Sequence, residues 1–296
     1  MTARPYWWAV AHEADIPASR PVAVKVGDLA LVLFRDGTGA VAALEDRCAH
    51  RRAPLSLGVV TAEGLVQCPY HGWRYEGASG KCRAIPNFSA QEKVPGNFGV
   101  RPFATRIVDG FVFVWTGDRG DVGNEPSATM DAPVGATTAR HARALPCPHA
   151  MYAALMLDRP GVLLSIGGIR LLDDFRWGDP RREESAIVSE FGAVWSGKRL
   201  DRLPSSPPLT LRVTVAAGTA ATHVTLRDEA DTMIAAAFLA ATPQGAMVTQ
   251  VQLAGWATDG PRGKPATIAI RPSLDVEAVA RTRVAALPDW QALSAV

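Results

Sequence analysis

Two short pairs of metal-seeking residues stand out in this 296-residue chain: Cys48 and His50, one residue apart, and Cys68 and His71, two apart, with seventeen residues between the pairs. Two thiolates and two imidazoles are the donor set of a [2Fe–2S] cluster in which cysteines hold one iron and histidines the other. Neutral nitrogens there lower the negative charge on the reducible iron and raise its potential. The competing use is a tetrahedral zinc site. Zinc fingers segregate Cys-x-x-Cys from His-x₃₋₅-His, whereas each pair here mixes the two, so the cluster is the preferred reading. Both pairs lie in turn-forming stretches, CAHRRAPLSLG with Pro54 and Gly58 and CPYHGW with Pro69 and Gly72. Two loops at strand ends would then close on the cluster.

The elements that must position those loops read as short strands. VAVKVGDLALVLFRD and AVAALED alternate or run apolar in strand-length pieces, and IVDGFVFVWTG forms a hairpin about Asp109-Gly110. From Gly117 to about Thr138 the composition shifts to Gly, Pro, Ala, Thr and Asp, which marks a domain connection. Beyond it LTLRVTVAA, THVTLRD, MIAAAFLAAT and MVTQVQLAGWA read as successive strands. Val276, Val279, Ala280, Arg283 and Leu287 then recur at helical spacing. The expected fold is α+β: an all-β cluster domain over 1–118, a linker over 119–138, and an antiparallel sheet with a long C-terminal helix over 139–296.

Tyr6-Trp7-Trp8, LEDRCAHRRAPLSLG, QCPYHGWRYEGASGKCRAIP and GFVFVWTGD, which ends at Asp118, resemble the Rieske non-haem iron oxygenases of the vanillate demethylase and dicamba monooxygenase type. The resemblance assigns Cys48, His50, Cys68 and His71 to the Rieske [2Fe–2S] cluster and a helix-grip domain to the second half. It places a turn around Cys82, and it implies a trimer fed by an NAD(P)H-dependent reductase or a ferredoxin. High-potential Rieske proteins carry a disulfide cysteine in each loop, at the positions of Ala53 and Tyr70, and a serine hydroxyl at that of Trp73. Their absence predicts a potential near the lower end of the range of about −150 to +300 mV.

The family also holds a mononuclear Fe(II) through Asn-x₃-Asp-x₂-His-x₄-His on a helix, with a further carboxylate. The matching segment, ALMLDRPGVLLSI over 154–166, keeps Asp158 but has Ala154, Gly161 and Ile166 at the other positions. Asp275 is a candidate remnant of the last carboxylate. No mononuclear iron is expected in this chain. Asp158 either bridges subunits for electron transfer or caps local structure. His141, His149 and His223 do not show the i, i+4 spacing that would rebuild the site on one helical face.

These residues imply an electron-transferring Rieske subunit that serves the iron of a histidine-complete partner. The alternatives are a complete monooxygenase or demethylase with a rearranged iron site, and a non-catalytic redox or ligand-binding module. The balance of 31 basic and 29 acidic residues, without a basic block, argues against nucleic acid. No apolar run reaches membrane-spanning or signal-peptide length, so a cytoplasmic protein is expected. Cys82 and Cys147 are then expected to be free thiols.

Overall fold

The computed structural model describes residues 5–89, 92–124, 126, 128, 131–196, 206–259 and 267–271. They form two compact units, Met1–Ser127 and Ala128–Val296.

The first unit holds β1 (Trp7–His12), β2 (Val22–Val26), β3 (Leu29–Arg35), β4 (Val41–Glu45), β5 (Val59–Val60), β6 (Val66–Gln67), β7 (Arg74–Tyr75), β8 (Cys82–Ala84), β9 (Pro102–Val108) and β10 (Phe111–Trp115). A six-stranded antiparallel sheet runs β1-β10-β9-β4-β3-β2, and a smaller sheet runs β5-β6-β7-β8. Leu31, Val32, Leu33 and Phe34 of β3 are all buried, so this strand is covered on both faces, whereas β2 alternates and leaves one face to solvent. The β9–β10 hairpin turns on Asp109 (φ 48°) and Gly110 (φ 77°). Two consecutive left-handed residues suit the right-handed strand twist, which is why Asp-Gly occurs there. Val32, Phe34 and Leu44 from the larger sheet share a core with Val66, Tyr75 and Cys82 from the smaller one, and Cys48 and Cys68 sit in that core. Cys82 starts a strand, where the resemblance had placed a turn.

The second unit contains β11 (Thr137–Leu145), α1 (His149–Asp158), α2 (Pro160–Leu163), β12 (Leu164–Ile166), β13 (Ile169–Arg176), β14 (Arg181–Glu183), β15 (Ala186–Trp195), β16 (Leu209–Ala216), β17 (Thr222–Asp228), β18 (Met233–Pro243), β19 (Thr249–Ala257) and β20 (Ile268–Ile270). Its main sheet runs β11-β19-β18-β17-β16-β15-β13, with β14 paired to β15, and β12 pairs with β20. Leu209, Leu211, Val213 and Val215 bury the period-2 face of β16 in a core shared with Tyr152 to Leu157 of α1. Every residue from Tyr152 to Asp158 is buried, so α1 is a central helix without a polar stripe.

The four strands read from LTLRVTVAA to MVTQVQLAGWA form as expected. The long helix expected over 273–287, and Asp275 with it, lie outside the described residues. One correction concerns 154–166, matched to a single helix. Pro160, with no N–H to donate and a ring that clashes with the preceding turn, ends α1 at Asp158, and Ile166 stands in β12. No helix among the described residues is long and apolar enough to cross a membrane.

Candidate metal centre

The two metal-seeking pairs sit in loops that close in the same way. In the first, the Cys48 N–H donates to the Ala53 carbonyl at 2.9 Å and the Arg52 N–H donates back to the Cys48 carbonyl at 2.9 Å. In the second, the Cys68 N–H donates to the Trp73 carbonyl at 2.8 Å and the Gly72 N–H to the Cys68 carbonyl at 3.2 Å. Each loop turns through a left-handed residue four positions after its cysteine: Arg52 (φ 58°) and Gly72 (φ 70°). A Cβ at Gly72 would also meet Pro86 Cγ at 2.8 Å, so glycine is required there on two counts. Asp46 fixes the first loop by accepting the Ser56 N–H at 2.7 Å and its hydroxyl at 2.5 Å.

This shared geometry directs the cysteines inward and the histidines outward. Cys48 and Cys68 are 1% and 2% exposed and unpaired by disulfide, whereas His50 and His71 are exposed. The imidazole centroids are 4.6 Å apart. His50 stacks on Trp73 at 4.8 Å and 4°, and His71 on Tyr70 at 3.9 Å. Trp73 and Tyr70, noted in the sequence only for what they lack, therefore brace the two rings. Burial pushes the Cys68 thiol up, so metal charge is needed to hold it as a thiolate. Desolvation, then His71 and Arg51, hold His50 below its ordinary value, in the neutral state that ligates metal.

Sequence reasoning missed Tyr75. Its hydroxyl lies 3.0 Å from Cys48 Sγ and accepts the Ala49 N–H at 3.1 Å. Burial first, and the Cys48 contact second, raise its pKa, so the hydroxyl stays protonated and donates to a thiolate. The signal was present as an aromatic hydroxyl two residues beyond Trp73, on β7 and facing the same core.

Two buried thiols and two surface imidazoles fit a [2Fe–2S] cluster of mixed ligation, and residues 6–97 match the Rieske [2Fe-2S] domain family. The first unit is a Rieske [2Fe–2S] domain. The chain is 39% identical over 109 residues to the chloroplast protein TIC 55 of Pisum sativum, covering 37% of this chain and 19% of that one. It is 42% identical over 111 residues to a putative toluene-4-sulfonate monooxygenase system iron-sulfur subunit, TsaM2, of Comamonas testosteroni, covering 38% and 31%. A vanillate O-demethylase oxygenase subunit of a Pseudomonas strain is 39% identical over 112 residues, covering 38% and 30%. The matched segment thus spans between a fifth and a third of these relatives. In fold, the likeness extends across both units: apo dicamba monooxygenase superposes with a TM-score of 0.66 at 22% identity, covering 88% of this chain and 78% of that one.

In the second unit, the positions matched to the mononuclear iron motif meet β13 in a different arrangement. Asp158, 3% exposed, is ion-paired with Arg176, whose Nη2 also donates to the Asp158 carbonyl at 3.0 Å. Arg159 Nη2 donates to Asp174 at 2.7 Å. The Gly161 N–H donates to Asp173 Oδ1 at 2.9 Å, and Arg271 Nε donates to the Gly161 carbonyl at 2.6 Å. A Cβ on Gly161 would lie 2.8 and 2.9 Å from the two Asp173 carboxylate oxygens. Ile166 pairs with Ile268, and Ala154 and Ile166 are both buried in the apolar core. Charged strand residues in LLDDFR were the missed signal.

The remaining histidines do not converge on these positions. His141 is exposed on β11, and His223 on β17 packs against Phe238 at 4.8 Å. His149 opens α1, with Nε2 3.0 Å from the Thr219 carbonyl and 3.3 Å from that of Ala241. Among the described residues of the second unit, no three His, Cys, Asp or Glu side chains are grouped to hold a metal ion.

Proposed function

We propose that this chain is the Rieske electron-transfer subunit of a heteromeric oxygenase or demethylase, taking electrons from a reductase or ferredoxin and passing them to the mononuclear iron of a partner subunit. One observation carries the reading. Cys48 and Cys68 share one buried core and the His50 and His71 rings lie 4.6 Å apart, whereas Ala154, Gly161 and Ile166 offer no donor and Asp158 is ion-paired with Arg176 and Arg159. These residues do not fit a mononuclear iron. The word "subunit" in the names of the Comamonas and Pseudomonas relatives is consistent with a divided system.

When bound, the [2Fe–2S] cluster supplies reversible one-electron chemistry at a potential set by ligand charge and hydrogen bonding. Cys48 and Cys68 would hold the buried iron, and their burial with Leu55, Val66 and Tyr75 keeps water from the sulfurs. His50 and His71 would hold the other iron at the surface, where a ring nitrogen turned to solvent can release a proton. The Tyr75 hydroxyl offsets part of the thiolate charge, and Trp73 and Tyr70 fix the ring planes. The second unit would serve as the scaffold that docks a histidine-complete homologue.

Iron and acid-labile sulfide per purified chain test the reading, with two of each expected and no further iron. Cys68→Ser should abolish the visible absorption and EPR signal of the cluster while the second unit remains folded. Mixed with a histidine-complete homologue and reductase, the wild-type chain should raise product formation, and Cys68→Ser should remove the gain. Three irons per chain with turnover by the chain alone would establish the rearranged-site monooxygenase instead. Zinc without labile sulfide would overturn both readings.

A further inference from the structure

We infer that Phe98 is a positioning residue for the cluster: it wedges Trp73 onto His50, which makes His50 the fixed imidazole ligand and His71 the yielding one. The cluster opens at His71. The inference rests on the cluster reading above and adds an inequality between the two surface ligands. The His50 ring stacks on Trp73 at 4.8 Å and 4°, and Trp73, 9% exposed, is backed by Phe98 at 5.1 Å. Phe98 is itself held from two sides. Its N–H donates to the Pro95 carbonyl at 3.0 Å, and its carbonyl accepts the Cys82 N–H at 2.9 Å, which ties it to β8. Its ring packs against the core that contains Cys48 and Cys68. Phe98, Trp73 and His50 therefore stand in series, anchored at the end remote from the cluster.

His71 has no such series. Its ring leans on Tyr70, which is 61% exposed and, among the described residues, has no second ring behind it. The two loops differ in the same sense. The first is closed at 2.9 and 2.9 Å, then pinned beside His50 by the Ala49 N–H on the Tyr75 hydroxyl at 3.1 Å and by the two Ser56 bonds to Asp46. The second is closed at 2.8 and 3.2 Å, and the Tyr70 and His71 N–H groups that favour the Cys68 thiolate lie within the loop, so they move with it. A ligand whose ring is pinned rebinds its iron before it can turn away, whereas one that rotates into solvent leaves the iron open. At opening, the bond from His71 to iron breaks, the freed nitrogen takes a proton from solvent, and no electron moves.

Loss of visible absorption in EDTA, measured on the full chain carrying its cluster, tests this. His71→Cys puts an anionic thiolate on the ligand that leaves first and should slow the loss about tenfold, whereas His50→Cys should stay within about twofold of wild type. Phe98→Ala should speed the loss about tenfold, and in that background His71→Cys should no longer protect, because His50 now leaves as readily. If Phe98→Ala does not load a cluster, Phe98→Leu, which keeps bulk without the ring, makes the same comparison. Pulsed EPR of the reduced cluster reads the asymmetry without a change of ligand: Phe98→Ala should shift one of the two imidazole nitrogen couplings, and Tyr70→Ala the other. Equal protection by His50→Cys and His71→Cys, protection by His71→Cys that survives the loss of Phe98, or couplings that shift together would overturn the inference and leave the cluster reading standing. A chain with neither nitrogen coupling nor labile sulfide would overturn both.

Discussion

The backbone N–H of Gly161 donates to the carboxylate of Asp173 at 2.9 Å, and the same carboxylate fills the space that any side chain at 161 would enter. With Asp158–Arg176 and Arg159–Asp174, this contact staples the α1–α2 junction to β13. Restoring imidazoles with Gly161→His and Ile166→His is therefore expected not to create an iron site. Forcing side chains into this packing should destabilise the protein by about 1–3 kcal/mol. Metal analysis and urea unfolding check both outcomes; one added iron per chain at unchanged stability would show that the staple yields.

Arg176→Ala should cost about 1–3 kcal/mol, because the buried Asp158 carboxylate loses its shortest ion pair and keeps Arg159 Nε at 3.8 Å. Replacing both Asp158 and Arg176 by alanine should cost less than the sum of the single changes, since the second removal takes away the carboxylate that the first left with a longer ion pair. Additive costs in a double-mutant cycle would mean the two side chains are not coupled.

Tyr75→Phe removes the hydroxyl 3.0 Å from Cys48 Sγ and should lower the cluster midpoint. One hydrogen bond of about 1 kcal/mol net preference for the reduced state corresponds to roughly 40 mV for one electron. The wild-type potential should accordingly sit somewhat above that expected from Ala53, Tyr70 and Trp73 alone. Protein-film voltammetry of both forms decides it, and an unchanged midpoint would remove Tyr75 from the account.

Burial holds the His149 pKa below its ordinary 6.5, against two carbonyls that favour the charged ring. The unfolded chain then binds more protons than the folded one below about 6.5, so stability falls as pH drops through that range. Asp173 is shifted upward by burial and acts in the opposite sense above 3.8. Urea unfolding at pH 5.5 and 7.5 should therefore show a loss of stability on acidification that His149→Gln reduces. An identical loss in the variant would assign it elsewhere.

The sequence by itself brought out Cys48, His50, Cys68 and His71 as candidate donors, because metal ligation depends on a few residue types at short spacing, and each loop that carries them is closed by local hydrogen bonds. It also determined the strands from Leu209 to Ala257, whose period-2 pattern is written in consecutive residues. The sequence showed that Gly161 and Ile166 cannot ligate a metal, but only the tertiary structure showed what stands there. Asp173 and Arg176 come from β13, and Arg271 lies more than a hundred residues beyond Gly161; no local pattern predicts such pairing. The same holds for Tyr75 and Trp73, separated from Cys48 and His50 in sequence and joined to them when the two loops close on one core. Chemistry set by local spacing was legible in the chain, whereas charge compensation and ring bracing depended on which distant strands became neighbours.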